Sequence, residues 1–379
     1  MSNPTWSQDF LDSMREQCDP PADEAVRLLF EREKITAANA LMKQLVINEN
    51  VSVEMLAPPL RDYFQRSGQL PSWTDMTLVH QGEELFSRYG PHIITALFCA
   101  SLPSCYAAAK GVQVLHLTAR LETDPYRRIM ETAQMIVDVM APGGLVQGGR
   151  GVRSAQKVRL MHAAVRHLIR RSGHWNFAWG QPINQEDMAG TLLSFSTVVL
   201  QSLEKMGCVL SDTERQAYYH AWRVVGYVMG IDERLLPEHV TEGFRFQELI
   251  QRRVYGPTPE GRTLTQALLE MMEHSLPGNV FDNMPATLTR YLIGDSAADL
   301  LAVPPSNWTR ALLGPLKVLG WVSDDVVNLQ GPQASKLIGL VSRKLLDGLL
   351  WVNRGPDRVP FRLPTTLRES WNVQGWERA

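Results

Sequence analysis

Residues 157–171 read KVRLMHAAVRHLIRR, and their apolar residues recur at the spacing of an α-helix. At 100° per residue, one apolar stripe contains Val158, Met161, Val165 and Ile169. His162 lies at the edge of this stripe. The pattern predicts an amphipathic helix over about 153–172 that carries a histidine beside its apolar face.

Two arginines, Arg159 and Arg166, lie just beyond His162, one turn on either side of it. A haem site needs an imidazole nitrogen for the iron, apolar walls for the porphyrin and cations for the propionates. This helix offers all three. The pattern alone favours a simpler interpretation, in which His162 is a core-edge histidine on a helix with a solvated basic face.

Apolar spacings of three and four recur along the rest of the chain, whereas the alternation typical of strands is scarce. Helices are predicted at about 22–46, 50–67, 75–89, 91–109, 125–141, 153–172, 185–206, 212–230, 244–253, 262–274, 285–294, 306–319 and 333–352. No linker rich in glycine, serine or charge separates them. We therefore predict an all-α fold with one large domain over 1–379 and an irregular tail over 355–379.

The composition excludes several classes of protein. A net charge of −2 over 379 residues gives no electrostatic reason to expect nucleic acid as a partner. The four cysteines form no CxxC pair, which argues against a disulfide framework or a zinc ribbon. The N-terminus lacks a signal-peptide pattern, and no apolar run of about 18 residues is present. We expect a cytoplasmic protein without a transmembrane segment.

The late segment KLIGLVSRKLLDGLLWV (336–352) is apolar but interrupted by charges, which predicts an amphipathic helix. The favoured interpretation is a terminal helix docked on the protein. A helix lying on a membrane surface stays open as the alternative, and with it a peripheral membrane contact.

The common catalytic signatures GxSxG, GxxxxGK[ST], HExxH and GxGxxG are absent in usable contexts. In the predicted helix at 125–141, Arg128 and Thr132 share a face with apolar residues, and Glu131 lies beside it. An arginine, a hydroxyl and an acid on such a face could bind dioxygen or water. The pattern alone favours first-turn charges on an ordinary core helix.

The helix predicted at 185–206 follows Asn184, a good N-cap residue. Its apolar stripe is explained by core packing. Hydroxyl groups lie near the stripe at Thr191, Ser194 and Ser196.

These segments, in this order, resemble the family of the bacterial latex-clearing proteins (rubber oxygenases) and the oxygenase of fungal mycophenolic acid biosynthesis. The matching pieces are CDPPADEAV (18–26), LPSWTD (70–75), ASLPSCYAAAKGVQVLHLTARL (100–121), RRIMET (127–132), KVRLMHAAVR (157–166), NQEDMAGTLLSFS (184–196) and AYYHAWRVVGYVMGIDERLLP (217–237). The pair RxxHxxxR and NQED is the most specific part.

The resemblance implies a globin-like all-α core that binds haem b, with dioxygen and a lipophilic substrate as reactants. It places the axial iron ligand at His162, with Arg159 and Arg166 as flanking cofactor-binding residues. It places the distal arginine and threonine at Arg128 and Thr132. A pocket hydroxyl corresponds to Ser194 or Ser196.

The chain also departs from the rubber-cleaving members. Between the distal arginine and threonine they carry a lysine that can cap the iron, and Glu131 stands there in this chain. Where they use an upstream acid, this chain offers Gln113 and His116. We expect that lysine capping is lost and that Glu131 or His116 acts as the distal base. The resemblance favours an oxygenase acting on a smaller lipophilic alkene; a haem-binding sensor or carrier without turnover is the alternative, and a relative that has lost haem is a third.

Overall fold

The computed structural model describes residues 6–32, 56, 58–121, 125–275, 284–305, 338–347 and 364–371, of which 119–121, 125–128 and Thr365 are described by their backbone alone. Within these ranges the helices are α1 (Gln8–Arg15), α2 (Pro20–Arg32), α3 (Pro58–Ser67), α4 (Met76–Ala96), α5 (Leu102–Ala107), α6 (Val112–Leu121), α7 (Pro125–Met140), α8 (Arg150–Ser172), α9 (Gln185–Phe195), α10 (Thr197–Lys205), α11 (Asp212–Val228), α12 (Val240–Val254), α13 (Pro259–Ser275), α14 (Met284–Ile293), α15 (Asp295–Leu300), α16 (338–347) and α17 (Thr365–Ser370). A π-helical turn lies at Leu97–Ser101, and 3₁₀ turns lie at Phe177–Trp179 and Glu233–Leu235. The described residues form no strand beyond one isolated β-bridge, between Ala108 and Tyr255. The prediction of an all-α fold is confirmed.

Helix α8 owes its bounds to two glycines. Gly149 is extended where the helix begins, and Gly173 ends it in the left-handed conformation, with φ of 71°. The side of α8 that carries Leu160, Ala163 and Ala164 is buried against α2 and α3 in one apolar cluster. This packing sets which face of α8 is turned away from α2.

Helices α7 and α8 form an antiparallel hairpin around the loop 141–149. The packing at its closed end depends on Gly151, because a Cβ there would lie 2.6 Å from the Cα of Val139. Buried Glu83 supports the loop by accepting a hydrogen bond from the N–H of Gly143 at 3.1 Å. The hairpin therefore has a defined register along both helices.

The described residues fall into two compact units. The first lies within Met1–Glu83, Leu117–Leu192 and Ala217–Gly243, and the second within Glu84–His116, Leu193–Gln216 and Phe244–Ala379. In the first unit α2 packs with α3 and α8, and α7 packs with α8. In the second, the π-helical turn packs with α5, α10 and α14, and α13 packs with α5 and α14. Helices α4, α6, α9, α11 and α12 each continue along the chain from one unit into the other, and a single domain stays a prediction.

Several predicted helices differ from those observed. The region predicted as two helices at 75–89 and 91–109 is helical from Met76 to Ala107, because α4 passes over Pro91 with only a local distortion at Tyr89 and leads into the π-helical turn and α5. The helix predicted at 185–206 is broken at Ser196. Helices α1, α6 and α15 were not predicted. The predicted helix at 306–319 lies outside the described residues, as does the whole stretch 33–55.

The C-terminal tail, expected to be irregular over 355–379, contains α17. This short helix forms because its ends are anchored in the second unit: Leu367 and Trp371 are buried, and the indole N–H of Trp371 donates to the carbonyl of Ser87 at 3.0 Å. The rest of the tail lies outside the described residues.

Helix α16 is docked on the protein, as favoured from its sequence. Its apolar residues Ile338, Val341, Leu345 and Leu346 are buried. Among the helices of the described ranges, none is both long enough and apolar enough to cross a bilayer.

Candidate functional site

The face of α8 around His162 is only partly covered by the chain. Val158, Met161 and Val165 are half-buried, as is His162, whereas Leu160 on the opposite side is fully buried. The Nδ1 atom of His162 is nevertheless buried. Within the predicted apolar stripe, only Ile169 is completely buried. The face beside His162 therefore carries an imidazole and apolar side chains that the rest of the protein buries only in part.

The register of the α7–α8 hairpin brings this face near the start of α7. Val139 contacts α8 at Gly151, and Thr132 shares the face of α7 that carries Val139. Moving eleven residues along each helix from that contact, about 16 Å at 1.5 Å per residue, leads to His162 on α8 and to Arg128 on α7. The backbone of Arg128 is thus level with His162, with Thr132 one turn away.

The side chains of this part of α7 are described only in part. Glu131 and Thr132 are half-buried. The side chain of Arg128 lies outside the described residues, so its predicted role stays a prediction.

Arg159 forms an ion pair with a carboxylate. Its Nε and Nη2 donate to the two oxygens of Asp19 at 2.6 and 2.7 Å, and its Nη1 donates to the carbonyl of Val228 at 3.0 Å. Burial acts to lower the pKa of Arg159, but the hydrogen bonds to Asp19 and the charge of Asp19, with smaller contributions from nearby tyrosines, together raise it. This guanidinium group remains charged and held in a fork-like geometry.

Arg166 is held in the same way and is fully buried. Its Nε donates to Asp23 at 2.7 Å, and its Nη1 donates to the carbonyl of Ile183 at 3.2 Å. The predicted contact of Arg159 and Arg166 with haem propionates stays a prediction, and both arginines already have carboxylate partners.

The other histidine of this helix, His167, is on a different side. Its ring stacks on Phe30 of α2 with centroids 4.7 Å apart. Burial lowers its pKa, and the nearby Arg171 and Arg170 lower it further. The structure therefore places the two histidines on different sides of α8, as a spacing of five residues requires in an α-helix.

The NQED motif joins α9 to the N-terminal segment. Gln185 donates from Nε2 to the carbonyls of Cys18 and Gly230, at 2.7 and 2.9 Å. Arg15 pairs with Glu186 at 2.8 Å and with Asp187 at 3.0 Å. Burial raises the pKa of Asp187, although Arg15 opposes that shift. The motif thus has a structural role in the first unit.

His116, Ser194 and Ser196 belong to the second unit. His116 is half-buried on α6. The Ser194 hydroxyl lies 3.2 Å from the thiol sulfur of Cys105, and the Ser101 hydroxyl donates to the Ser194 carbonyl at 2.6 Å. Ser196 is buried at the break between α9 and α10, with φ of −108° and ψ of −81°. Ser194 thus lies in a polar cluster with Ser101 of the π-helical turn and Cys105 of α5.

Reasoning from the sequence missed the partners of the two arginines. Asp19 and Asp23 lie one turn apart in CDPPADEAV, the segment where α2 begins. The spacing of four was a usable signal, since it matches two acids on one helical face. Nothing in the pattern indicated that the partner would be α8.

Comparison with known proteins shows the family. The domain described as "ER-bound oxygenase mpaB/B'/Rubber oxygenase, catalytic domain" matches residues 93–324. The matched range includes His116, Arg128, Glu131, Thr132, Arg159, His162, Arg166, Ser194 and Ser196.

Two individual proteins are similar to the chain. The "Rubber oxygenase" of Streptomyces sp. (strain K30) is 25% identical over 288 residues, which cover 75% of this chain and 70% of that protein. The solved "Structure of Latex Clearing Protein LCP in the closed state" matches with a TM-score of 0.71 and 23% identity, covering 96% of this chain and 99% of the other. The latter likeness concerns the fold. The family match spans more than half of this chain's residues, and the chain therefore belongs to the family of mpaB-type and rubber oxygenases.

Proposed function

We propose that the protein is a haem b-dependent oxygenase that uses dioxygen to oxidise a carbon–carbon double bond of a lipophilic, isoprenoid-like substrate. The observation that carries this proposal is the half-buried apolar face of α8 around His162, with the buried Nδ1 of that imidazole. The family supplies the reaction class, oxygenation.

The residues of this face fit a haem group. A haem needs one axial nitrogen and apolar walls for the porphyrin. His162 would hold the iron, and Val158, Met161 and Val165 would contact the macrocycle. When bound, the haem would supply the oxidation of the double bond. The protein would supply binding, orientation and the exclusion of water.

The start of α7 would serve the reactants. Its register with α8 supports placing Arg128 and Thr132 near His162, where a guanidinium and a hydroxyl group would bind and orient dioxygen. Glu131 or His116 would donate or accept a proton. The hydroxyls of Ser194 and Ser196 stay proposed pocket residues on the strength of the resemblance.

The substrate class is proposed from the similarity to a rubber oxygenase and from one difference from the rubber-cleaving members. The Streptomyces relative is named for rubber, and the half-buried apolar side chains of α8 suit an apolar ligand. Glu131 in place of the lysine distinguishes this chain from the rubber-cleaving members, so we propose a smaller alkene. A cytoplasmic location stays a prediction, supported by the four cysteines, which are all free thiols.

The test is the purified protein with His162→Ala. We expect the unmodified protein to bind haem b with a Soret band and to consume dioxygen with a small isoprenoid such as squalene, and His162→Ala to lose haem. His167→Ala is the matched control on the same helix and should keep its haem. Full haem retention by His162→Ala would assign the iron to another residue, and haem binding without turnover of isoprenoid alkenes would contradict an oxygenase.

A further inference from the structure

Two carboxylates bracket His162 from outside its helix. Asp19 and Asp23 lie one turn apart at the start of α2, and they bind Arg159 and Arg166. Arg159 is three residues before His162, and Arg166 is four after it. The two ion pairs therefore hold the turn of α8 below the histidine and the turn above it.

The segment Arg15–Asp23, here called the N-terminal arm, is itself tied down. Arg15 pairs with Glu186 and Asp187, and Gln185 binds the carbonyl of Cys18. The backbone carbonyl of Arg15 also accepts from the N–H of Gln181 at 2.9 Å. The arm is thus fixed to the start of α9 before it reaches α8.

Gly230 lies directly against the Arg159–Asp19 pair. A Cβ on Gly230 would lie 2.6 Å from the guanidinium carbon of Arg159 and 2.7 Å from the carboxylate of Asp19. The same residue has φ of 82°, a conformation that favours glycine. The ion pair therefore depends on the absence of a side chain at Gly230.

Stability alone is a weak reason for such an arrangement. Removing charges from water is costly, and an apolar pair of the same shape often serves a fold as well or better. Directional charged pairs, in contrast, set position, because they hold only in one geometry. Asp19 is almost fully buried, so its pair with Arg159 has this character.

We propose that the N-terminal arm is a positioning device for the proposed iron ligand: through Arg159 and Arg166, Asp19 and Asp23 set the rotation and height of α8, and so of the His162 ring. This inference rests on the proposed function. It makes Asp19 and Asp23 positioning residues, and it assigns the two arginines to the arm rather than to the haem propionates.

Assigning Arg159 to a haem propionate and assigning it to the N-terminal arm predict opposite results for Asp19→Asn. If Arg159 served a propionate, neutralising Asp19 would release a cation toward the haem and slow haem loss or leave it unchanged. If the arm positions His162, the same change loosens α8 and speeds haem loss. Partners outside the ligand shell of a metal commonly change affinity 10- to 100-fold, so we expect at least about tenfold faster haem loss.

The experiment measures haem transfer from the holoprotein to an excess of apomyoglobin, together with the iron–histidine stretching band of the ferrous protein. Asp19→Asn and Asp23→Asn should both speed transfer and shift or broaden that band, and Asp19→Glu should restore part of each. Asp299→Asn is the control, since Asp299 pairs with buried Arg290 in the second unit at 2.7 Å. It should leave both readouts unchanged even where it lowers thermal stability.

Failure of the inference is distinguishable from failure of the proposed function. An unmodified protein that takes up no haem overturns both. Normal haem uptake with unchanged transfer and an unchanged band in the Asp19 and Asp23 variants overturns the inference alone. If Asp19→Asn does not fold, Asp23→Asn decides, because the carboxylate of Asp23 is partly exposed and Arg166 keeps its hydrogen bond to the carbonyl of Ile183.

Discussion

At the scale of single residues, Gly230 shows how one backbone position supports a charged pair. We expect Gly230→Ala to destabilise the fold for two reasons. An alanine with φ near 82° costs about 1–2 kcal/mol, and its Cβ would displace the Arg159–Asp19 pair. Urea unfolding followed by circular dichroism should show a loss larger than the backbone cost alone.

Gly173 offers a matched control for that experiment. It has a similar φ of 71°, and no atom lies within 4 Å of the Cβ that an alanine would add. Gly173→Ala should therefore show only the backbone cost. Equal destabilisation by the two variants would mean that the ion pair adjusts to the added methyl group and that its geometry is not tightly fixed.

The residues around His162 show what could be predicted from the sequence and what could not. The helical spacing placed His162 at the edge of an apolar face, because such periodicity is a local property. It could not supply the partner of Arg159, since Asp19 lies 140 residues away along the chain. Assigning both arginines to propionates followed from their charge and the family, and neither contains information on tertiary packing.

At the scale of helices, α11 begins with a capping box. The Ser211 N–H donates to the Glu214 carboxylate at 2.8 Å, and the Glu214 N–H donates to the Ser211 hydroxyl at 3.2 Å. Arg88 also pairs with Glu214. The Ser211 N–H and Arg88 lower the pKa of Glu214 from 4.5 to about 2. The carboxylate is thus better stabilised in the folded chain than in the unfolded one.

This lowered pKa predicts a pH dependence of stability. Because the folded-state pKa lies below the unfolded one, the contribution of Glu214 is complete above about pH 5, falls as the pH drops from 4.5 toward 2, and is absent below that. Glu214→Gln should lower the free energy of unfolding at pH 7 and match the unmodified protein near pH 2, as measured by urea titration at each pH.

Glu24 provides the comparison for Glu214. Arg27 lowers its pKa too, but the pair is on the surface of α2, where such pairs contribute little. Glu24→Gln should therefore change stability much less at every pH. A pH-independent loss in Glu214→Gln would assign the effect to packing at the helix start instead of charge.

Helix interruptions were the least predictable elements. The sequence predicts separate helices at 75–89 and 91–109, yet α4 continues over Pro91, with the distortion confined to Tyr89. Ser196, in contrast, breaks a stretch whose apolar stripe runs on unbroken. In both cases the outcome depends on packing around the backbone, because local propensity differences are small against tertiary contacts.

At the scale of the whole molecule, the open question is whether the two compact units are separate domains. Each has buried residues of its own, which would allow separate unfolding. Five helices, α4, α6, α9, α11 and α12, nevertheless continue along the chain from one unit into the other. Unfolding one unit alone would have to melt each of these helices in its middle.

We therefore expect one cooperative transition, and the native cysteines can report it. Cys18 belongs to the first unit and Cys99 to the second; burial raises the pKa of Cys18, and burial raises that of Cys99 to about 12, so both thiols react slowly while folded. Pulsed alkylation across a urea titration, read by mass spectrometry, should give coincident midpoints for the two thiols. Separate midpoints would identify two domains, because a two-state chain cannot expose one thiol before the other.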